Sequence, residues 1–419
     1  MSLRSKLLRL ELSADEARAN VLDDLRARIQ ATLARTARRD VAPVPPVDTV
    51  DLPFTTEPTS LGLLHVRAKR LSPAHRTGRA PLAFAREASP EILSLLALDP
   101  TLAACDPTRA LYVDTETTGL SGGAGTVAFL VGLGWWDGGT LVLEQLLVRA
   151  LGEEAPVLER VRERIAAASM IVTFNGKSFD MPLLRTRFVM TSMQTPETPP
   201  HLDLLHVARR VHRARLSRGG CRLVALERDV LGFERIDDVE SGDVSACYLH
   251  FLRTGDARAL LGVVEHNAWD VVAMVALLGL YGEPLRGDLA VDDLAGVART
   301  LHRAGDLDRA HATIEAAVGR EATPASLRAR ADIAKARGDR QRALSDFESL
   351  AASVDDPSVR LELAKLYEHW VRQPARALAW AERGTGETPE RARRRSERLA
   401  RKADRMRQTT LGPTKPASS

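Results

Sequence analysis

A chain of 419 residues with 44% hydrophobic residues can bury real cores, which excludes wholesale disorder and predicts two to four folding units at ~100–200 residues each. Its 59 Lys+Arg stand against 55 Asp+Glu, a mild net charge of +4, and the 4% aromatic content argues against a surface that binds chiefly by stacking bases on rings. Cys105, Cys221 and Cys247 are widely spaced with no CxxC or Cys/His cluster, so neither a disulfide framework nor a structural zinc site is expected. The chain opens without a signal-type apolar region, and no run approaches the ~18–20 uninterrupted apolar residues of a membrane span. A soluble cytoplasmic protein without membrane contact is the expectation, and nothing argues for an oligomer.

Residues 1–40 are charged and helix-forming, with Ser13 and Glu16 spaced as a capping box. VAPVPPVDTVDLP then breaks any helix, because prolines remove donors and fix φ, so 41–59 reads as a linker. Residues 60–108 hold short apolar runs interrupted by Pro and Gly and read as an N-terminal extension. A separate domain over 109–285 follows. ALYVD (110–114) is a short apolar strand ending in a carboxylate, and TVAFLVGLGWW (126–136) and TLVLEQLLV (140–148) flank a DGG turn, a hairpin signal. An amphipathic helix over 153–168, a buried strand MIVTF (170–174), a helix over 179–189 and a short strand at HLDLL (201–205) complete the alternation, and helical patterns run on to about Leu280. Three strands and then strands alternating with helices predict an α/β fold, a mixed sheet covered by helices.

Beyond 290 the sequence repeats itself. GDLDRA (305–310), GDRQRA (338–343) and RQPARA (372–377) end on alanines 33 and 34 residues apart, amid small and apolar positions at helix-pair spacing. The pattern resembles tetratricopeptide repeats over 290–388, in which small residues let paired helices approach closely; a plain helical bundle is the other reading. In 390–407 nine Arg/Lys face three Glu/Asp, so the chain's basicity belongs to a tail, 389–419, that reads as a solvated helix or a phosphate-binding arm.

Asp114 and Glu116 alternate at the end of an apolar strand, and period-two geometry puts both carboxylates on one face. An isolated DxE is better explained by a solvated strand end before a turn. Here Asn175-Gly-Lys-Ser-Phe-Asp180 adds a second acidic turn directly after a strand, and His266-Asn-Ala-Trp-Asp270 brings a histidine and a carboxylate to one helical face by i,i+4 spacing. Hard oxygen ligands of this kind suit Mg²⁺ or Mn²⁺ and not zinc. Asp203 in HLDLL either approaches the same cluster or plays a structural part. SGGAGT (121–126) lacks the Gly-Lys-Ser/Thr ending of a phosphate loop, so no nucleoside triphosphate site is expected there.

DTETTGL, N-x3-F-D and H-x3-D together resemble the three motifs of the DEDD 3′–5′ exonucleases, within the RNase H-like fold. DTETTGLSGGAGTVAFLVGLG, TFNGKSFDMPLL, HLDLLHVARR, LVALERDVLGFER and HNAWDVVAM resemble the bacterial YprB-type RNase H-like family more closely still, over roughly 110–280 and more weakly back to about residue 60. The resemblance implies phosphodiester hydrolysis of DNA or RNA with two divalent ions. Asp114 would bridge both, Glu116 and Asp270 would complete one site, Asp180 would support the other, and His266 would be the general base. It also makes Thr117, Thr118, Gly119, Leu120, Asn175 and Lys177 candidates for holding a terminal nucleotide. One DEDD subgroup has Tyr four residues before the last Asp and the other has His five before it, whereas this chain has His at the tyrosine spacing and Glu at 265. Arg209 and Arg210 open an arginine run with Arg213, Arg215, Arg218 and Arg222, which is either a solvated face or a backbone-phosphate contact. The expected protein is a metal-dependent exonuclease whose helical repeats dock a partner or substrate. The alternative is a silent adaptor that grips nucleic acid while its repeats recruit a protein.

Overall fold

A computed structural model describes residues 51–119, 125–213, 221–286 and 289–410. The expected N-terminal helix with its capping box, Leu120, Arg215, Arg218 and the last nine residues of the basic tail lie outside the described residues.

The main sheet has seven strands, β1 (Thr55–Thr59), β2 (Gly62–Leu71), β5 (Ala110–Thr117), β6 (Ala128–Asp137), β7 (Thr140–Leu147), β8 (Met170–Thr173) and β9 (His201–Asp203); β3 (Arg76–Thr77) and β4 (Ala80–Pro81) make a small separate ribbon. The order across the sheet is β1-β2-β7-β6-β5-β8-β9, antiparallel from β1 to β5 and parallel from β5 to β9. This is the mixed sheet expected for 109–285, with one correction at its edge. Thr55–Thr59 and Gly62–Leu71, read as linker and loose extension, are strands that lengthen the sheet beyond β7. β2 buries only Leu64, His65 and Val66 and leaves a polar half exposed, so its apolar pattern is too short to mark it as a strand.

Alternation along β5 divides the core. Leu111 and Val113 face one apolar layer, capped by α2 (Ala155–Ala167) and α3 (Asp180–Met190), while Ala110 and Tyr112 face the other. The second layer also receives α1 (Pro90–Ala97), α4 (Leu204–Val211) and the long α6 (Arg258–Gly282), which follows α5 (Val244–Thr254) and crosses β5, β6 and β7. Among the described residues α6 is the helix long and apolar enough to cross a membrane, and 72% of its apolar window is buried within this protein. Close approach of α6 to the sheet depends on glycine in β6. A Cβ on Gly132 would lie 2.3 Å from the side-chain oxygen of Asn267.

The remainder is all-α: helix pairs α7 (Val291–Arg303) with α8 (Leu307–Arg320), α9 (Pro324–Arg337) with α10 (Arg340–Ser353), and α11 (Pro357–His369) with α12 (Pro374–Glu382), then α13 (Pro389–Thr410). The recurrent alanines Ala310, Ala343 and Ala377 are all fully buried. The first two turns place Gly305 and Gly338 at positive φ; the third, which lacks the glycine, puts Arg372 there instead at φ 59°. The basic segment is not a free arm over its described length. Leu399 and Ala403 of α13 are buried, Arg398 and Lys402 reach Glu368 at 2.8 and 2.7 Å, and Arg395 binds Glu387 at 2.7 Å. Arg395, Arg398 and Lys402 thus tie the helix to the pair beneath through Glu368. The three cysteines are free thiols.

Candidate metal centre

Asp114 and Glu116 leave β5 on the face that meets α6, where His266, Asn267 and Asp270 occupy successive turns. The β5–β6 register slips between Glu116 and Thr117, ending regular pairing at the second carboxylate. One nitrogen of Asn267, fully buried, donates to Asp114 Oδ2 at 2.7 Å, and its oxygen accepts from Gln145 Nε2 at 2.9 Å. Gln145 Oε1 in turn accepts from Arg67 Nη1 at 2.9 Å. An arginine can only donate, so it fixes the orientation of Gln145 and then of Asn267. The result is a polarised chain from a cation to Asp114. Gly132→Ala is expected to push Asn267 off this position and cost roughly 1–3 kcal/mol in chemical denaturation. Wild-type stability would show that the site tolerates the methyl group.

Asp180 approaches from the opposite side of β5, at the first turn of α3. Thr115, whose side chain leaves β5 on that side, donates from Oγ1 to Asp180 Oδ1 at 2.6 Å. The turn before α3 is held by Asp203, which accepts from the backbone amides of Asn175 at 2.8 Å, Lys177 at 3.1 Å and Leu205 at 3.0 Å. With three backbone donors on its carboxylate, Asp203 is structural and holds Asn175 at φ 68°.

His266 points its Nε2 at Asp270 Oδ2, 3.6 Å away, and at Glu116 Oε1, 4.0 Å away. Its Nδ1 lies 2.6 Å from Asp238 Oδ1 and 3.2 Å from Arg235 Nη1; the shorter contact is to a carboxylate, which does not donate, and it places a ring proton on Nδ1. The unexpected histidine spacing therefore still delivers the ring to the carboxylates. The neighbouring Glu265 turns away to Arg67 and Lys69 of β2.

The residue that sequence reasoning missed is Arg235, whose side chain is 2% exposed. It donates to Glu227 from Nε at 2.6 Å and from Nη2 at 2.8 Å, approaches Asp238 at 3.2 Å, and pairs with Asp270. Its guanidinium also lies 5.6 Å from the Trp269 ring centroid. Glu227 and Arg235 bracket Leu231 and Gly232 in LVALERDVLGFER, and no periodicity in that stretch marks an inward-facing ion pair.

These groups crowd one another electrostatically. Burial, then Asp270, Glu116 and Asp180, push Asp114 well above the usual carboxylate range. Burial and Asp270 push Glu116 up to about 8 despite His266 and Arg235. Burial raises Asp180 to about 6 against its hydrogen bonds. For His266, burial opposes the charged form, but Asp270, Glu116 and Asp238 outweigh it and hold the imidazole above its ordinary value. A clustered set of hard oxygens that raises its own pKa values is the donor chemistry of a divalent cation site, and Glu116, His266 and Asp270 offer atoms within 4.8 Å of one another.

A carboxyl whose pKa is raised by folding favours the fold at low pH and loses that contribution as pH climbs through the folded value; a raised histidine acts in the same direction. For Glu116 and Asp180 the window runs from their ordinary 4.5 and 3.8 up to about 8 and about 6. Metal-free protein is thus expected to melt lower at about pH 8.5 than at about pH 5, with Mn²⁺ restoring most of the difference. Equal pH dependence with Mn²⁺ and with EDTA would contradict this.

A cleft of about 1280 Å³ opens beside the cluster, with His266, Asp270 and Asn175 at its lining and Arg209 and Arg222 further along. Other substrate candidates are dispersed. Thr117 Oγ1 bonds Gly119 O at 2.9 Å and Thr118 closes the turn through Val127 at 3.0 Å, so both shape the turn. Lys177 Nζ lies 3.9 Å from Asp99 and does not line the cleft. Arg210 is anchored on the carbonyls of Leu96 and Ala97, both at 3.0 Å.

Residues 111–281 match the RNase_H superfamily, a span that carries every member of the carboxylate cluster. The chain is also similar to the "Uncharacterized protein YprB" of Bacillus subtilis (strain 168), 27% identical over 300 residues that cover 69% of this chain and 72% of that protein. The α/β half is an RNase H-like domain, followed by an all-α region.

Proposed function

We propose that the RNase H-like domain is a divalent-metal-dependent nuclease that hydrolyses phosphodiester bonds of DNA or RNA from the 3′ end. The observation that carries this reading is the burial of Asp114, Glu116, Asp180 and Asp270, drawn from separate segments, in one mutually repelling cluster at the mouth of a cleft. Asp114, Glu116, Asp180 and Asp270 would hold two Mg²⁺ or Mn²⁺ ions. When bound, such ions supply Lewis-acid activation of water and neutralise charge on the scissile phosphate. The direction of attack rests on the likeness of the three acidic motifs to 3′–5′ exonucleases.

The chain's own groups have separable tasks. Asn267 and Thr115 each hold one carboxylate oxygen, of Asp114 and Asp180 respectively, and leave the other for a cation. Asp238 keeps the Nδ1 proton of His266, leaving Nε2 as the atom that accepts a proton from the attacking water. Two of the carboxylates that raise the His266 pKa, Asp270 and Glu116, are proposed cation ligands, so cation charge returns the ring toward the neutral form. Asn175 and Arg209, both lining the cleft, contact the strand. His266→Gln is expected to lower turnover by roughly 10²–10⁴-fold while Mn²⁺ uptake persists; wild-type rates between about pH 6 and about pH 9 would remove it as the base.

The reading is tested with single-stranded DNA and RNA labelled at either end, incubated with Mg²⁺, Mn²⁺ or EDTA. Stepwise shortening from the 3′ end, stopped by EDTA and by a 3′ block, is expected. Cleavage indifferent to the block would make the enzyme an endonuclease, and binding without cleavage under every metal would be the behaviour of an adaptor.

A further inference from the structure

A second cavity, about 570 Å³, lies where the RNase H-like domain meets the helical region. Arg209, Arg210 and Arg213 line it from α4 and the turn after it, and Arg299 and Arg303 line it from α7. No carboxylate lines it, and among the described residues no ion pair engages Arg209, Arg213, Arg299 or Arg303. Arg210 spends its guanidinium on backbone carbonyls. Burial and the Arg213 cation push the Arg299 pKa down, and burial and Arg303 do the same to Arg210. Asp292 and Asp332 offset this at Arg299 only in part, and five like charges converging on a lining that holds no carboxylate call for an anion.

The two walls are fixed against each other. A Cβ on Gly296 of α7 would fall 1.9 Å from the carbonyl oxygen of Val211, so the helices touch backbone to backbone. His212, fully buried beside them, has Nδ1 2.9 Å from Asp293 Oδ1 of α7 and Nε2 2.9 Å from the Tyr281 hydroxyl of α6. Arg209 and Cys221 line both this cavity and the cleft, which makes the path from Asp270 to Arg303 continuous.

We propose that this pocket binds backbone phosphates of the strand whose end lies in the cleft, so that α7 of the helical region forms part of the substrate path. The inference rests on the nuclease reading of the cleft. Planar guanidinium groups hold phosphate oxygens in pairs without reading bases, which suits a strand that must slide as it shortens.

The test is fluorescence anisotropy of single strands, DNA and RNA, about 4 and about 16 nucleotides long, binding the full chain in EDTA. Wild-type protein is expected to prefer the longer strand. In R299Q/R303Q that preference falls about 10-fold, and the slope of log affinity against log salt drops by about 1.4 for two lost phosphate contacts. R303Q alone, at an exposed position, is expected to give roughly half the slope change and serves if the double variant does not fold. An unchanged length preference and salt slope would overturn the inference, as would wild-type protein that binds both lengths equally; either result leaves the nuclease reading standing. Wild-type protein that binds neither strand would overturn both.

Discussion

Arg235→Met is expected to destabilise the protein by roughly 3–5 kcal/mol and lower Tm by on the order of 10 °C. The guanidinium is buried among Glu227, Asp238 and Asp270, and its loss strands Glu227 out of reach of water beside two partly buried carboxylates. Glu227 stands at about 7 even with its partner, because burial raises it more than Arg235 lowers it. Removing the cation drives it higher, so the penalty is expected to be larger at about pH 8 than at about pH 5, where the stranded carboxyls take up protons. Glu227→Gln in the same chain is expected to recover on the order of 2 kcal/mol in a double-mutant cycle. A single variant within about 1 kcal/mol of wild type would show that Arg235 is dispensable to the cluster.

Asp114→Asn is expected to act with opposite signs on stability and on activity. The amide keeps an oxygen that can accept from Asn267 while removing one charge from a set that Asp270, Glu116 and Asp180 make crowded. Metal-free protein at about pH 8 is therefore expected to gain about 1–2 kcal/mol, the mark of a position kept for function at a cost to the fold. Hydrolysis is expected to fall by ~10³-fold or more, about 4 kcal/mol of barrier, since this carboxylate is the one shared by both proposed ion sites. Loss of stability together with loss of activity would make Asp114 merely structural. Full activity would place the reaction elsewhere.

What the sequence displayed was whatever short-range periodicity encodes. Alternation put Asp114 and Glu116 on one face of β5, and i,i+4 spacing put His266 beside Asp270. The buried alanines of the helix pairs were legible in the same way, because small residues recur where helices touch. Contacts across long separations were not legible. Arg235 reaches Asp270 from a loop 35 positions away, and Thr115 reaches Asp180 across 65. β1 escaped because an exposed, proline-bearing edge strand carries little apolar signal, and β2 because only three successive residues of it are buried. The last helix was read as a tail because its buried stripe, Leu399 and Ala403, is thin among the arginines. Asp203 shows the converse: its place beside the motifs admits a ligand role, and three backbone amides give it a structural one.

Calorimetric titration of Mn²⁺ into the metal-free protein probes the carboxylate cluster most directly. Two ions per chain are expected to bind the wild type at about pH 8, releasing protons from the raised carboxyls, with at most one ion retained by Asp114→Asn. Absence of binding at millimolar Mn²⁺, or equal uptake by wild type and variant, would contradict a metal centre built on these residues.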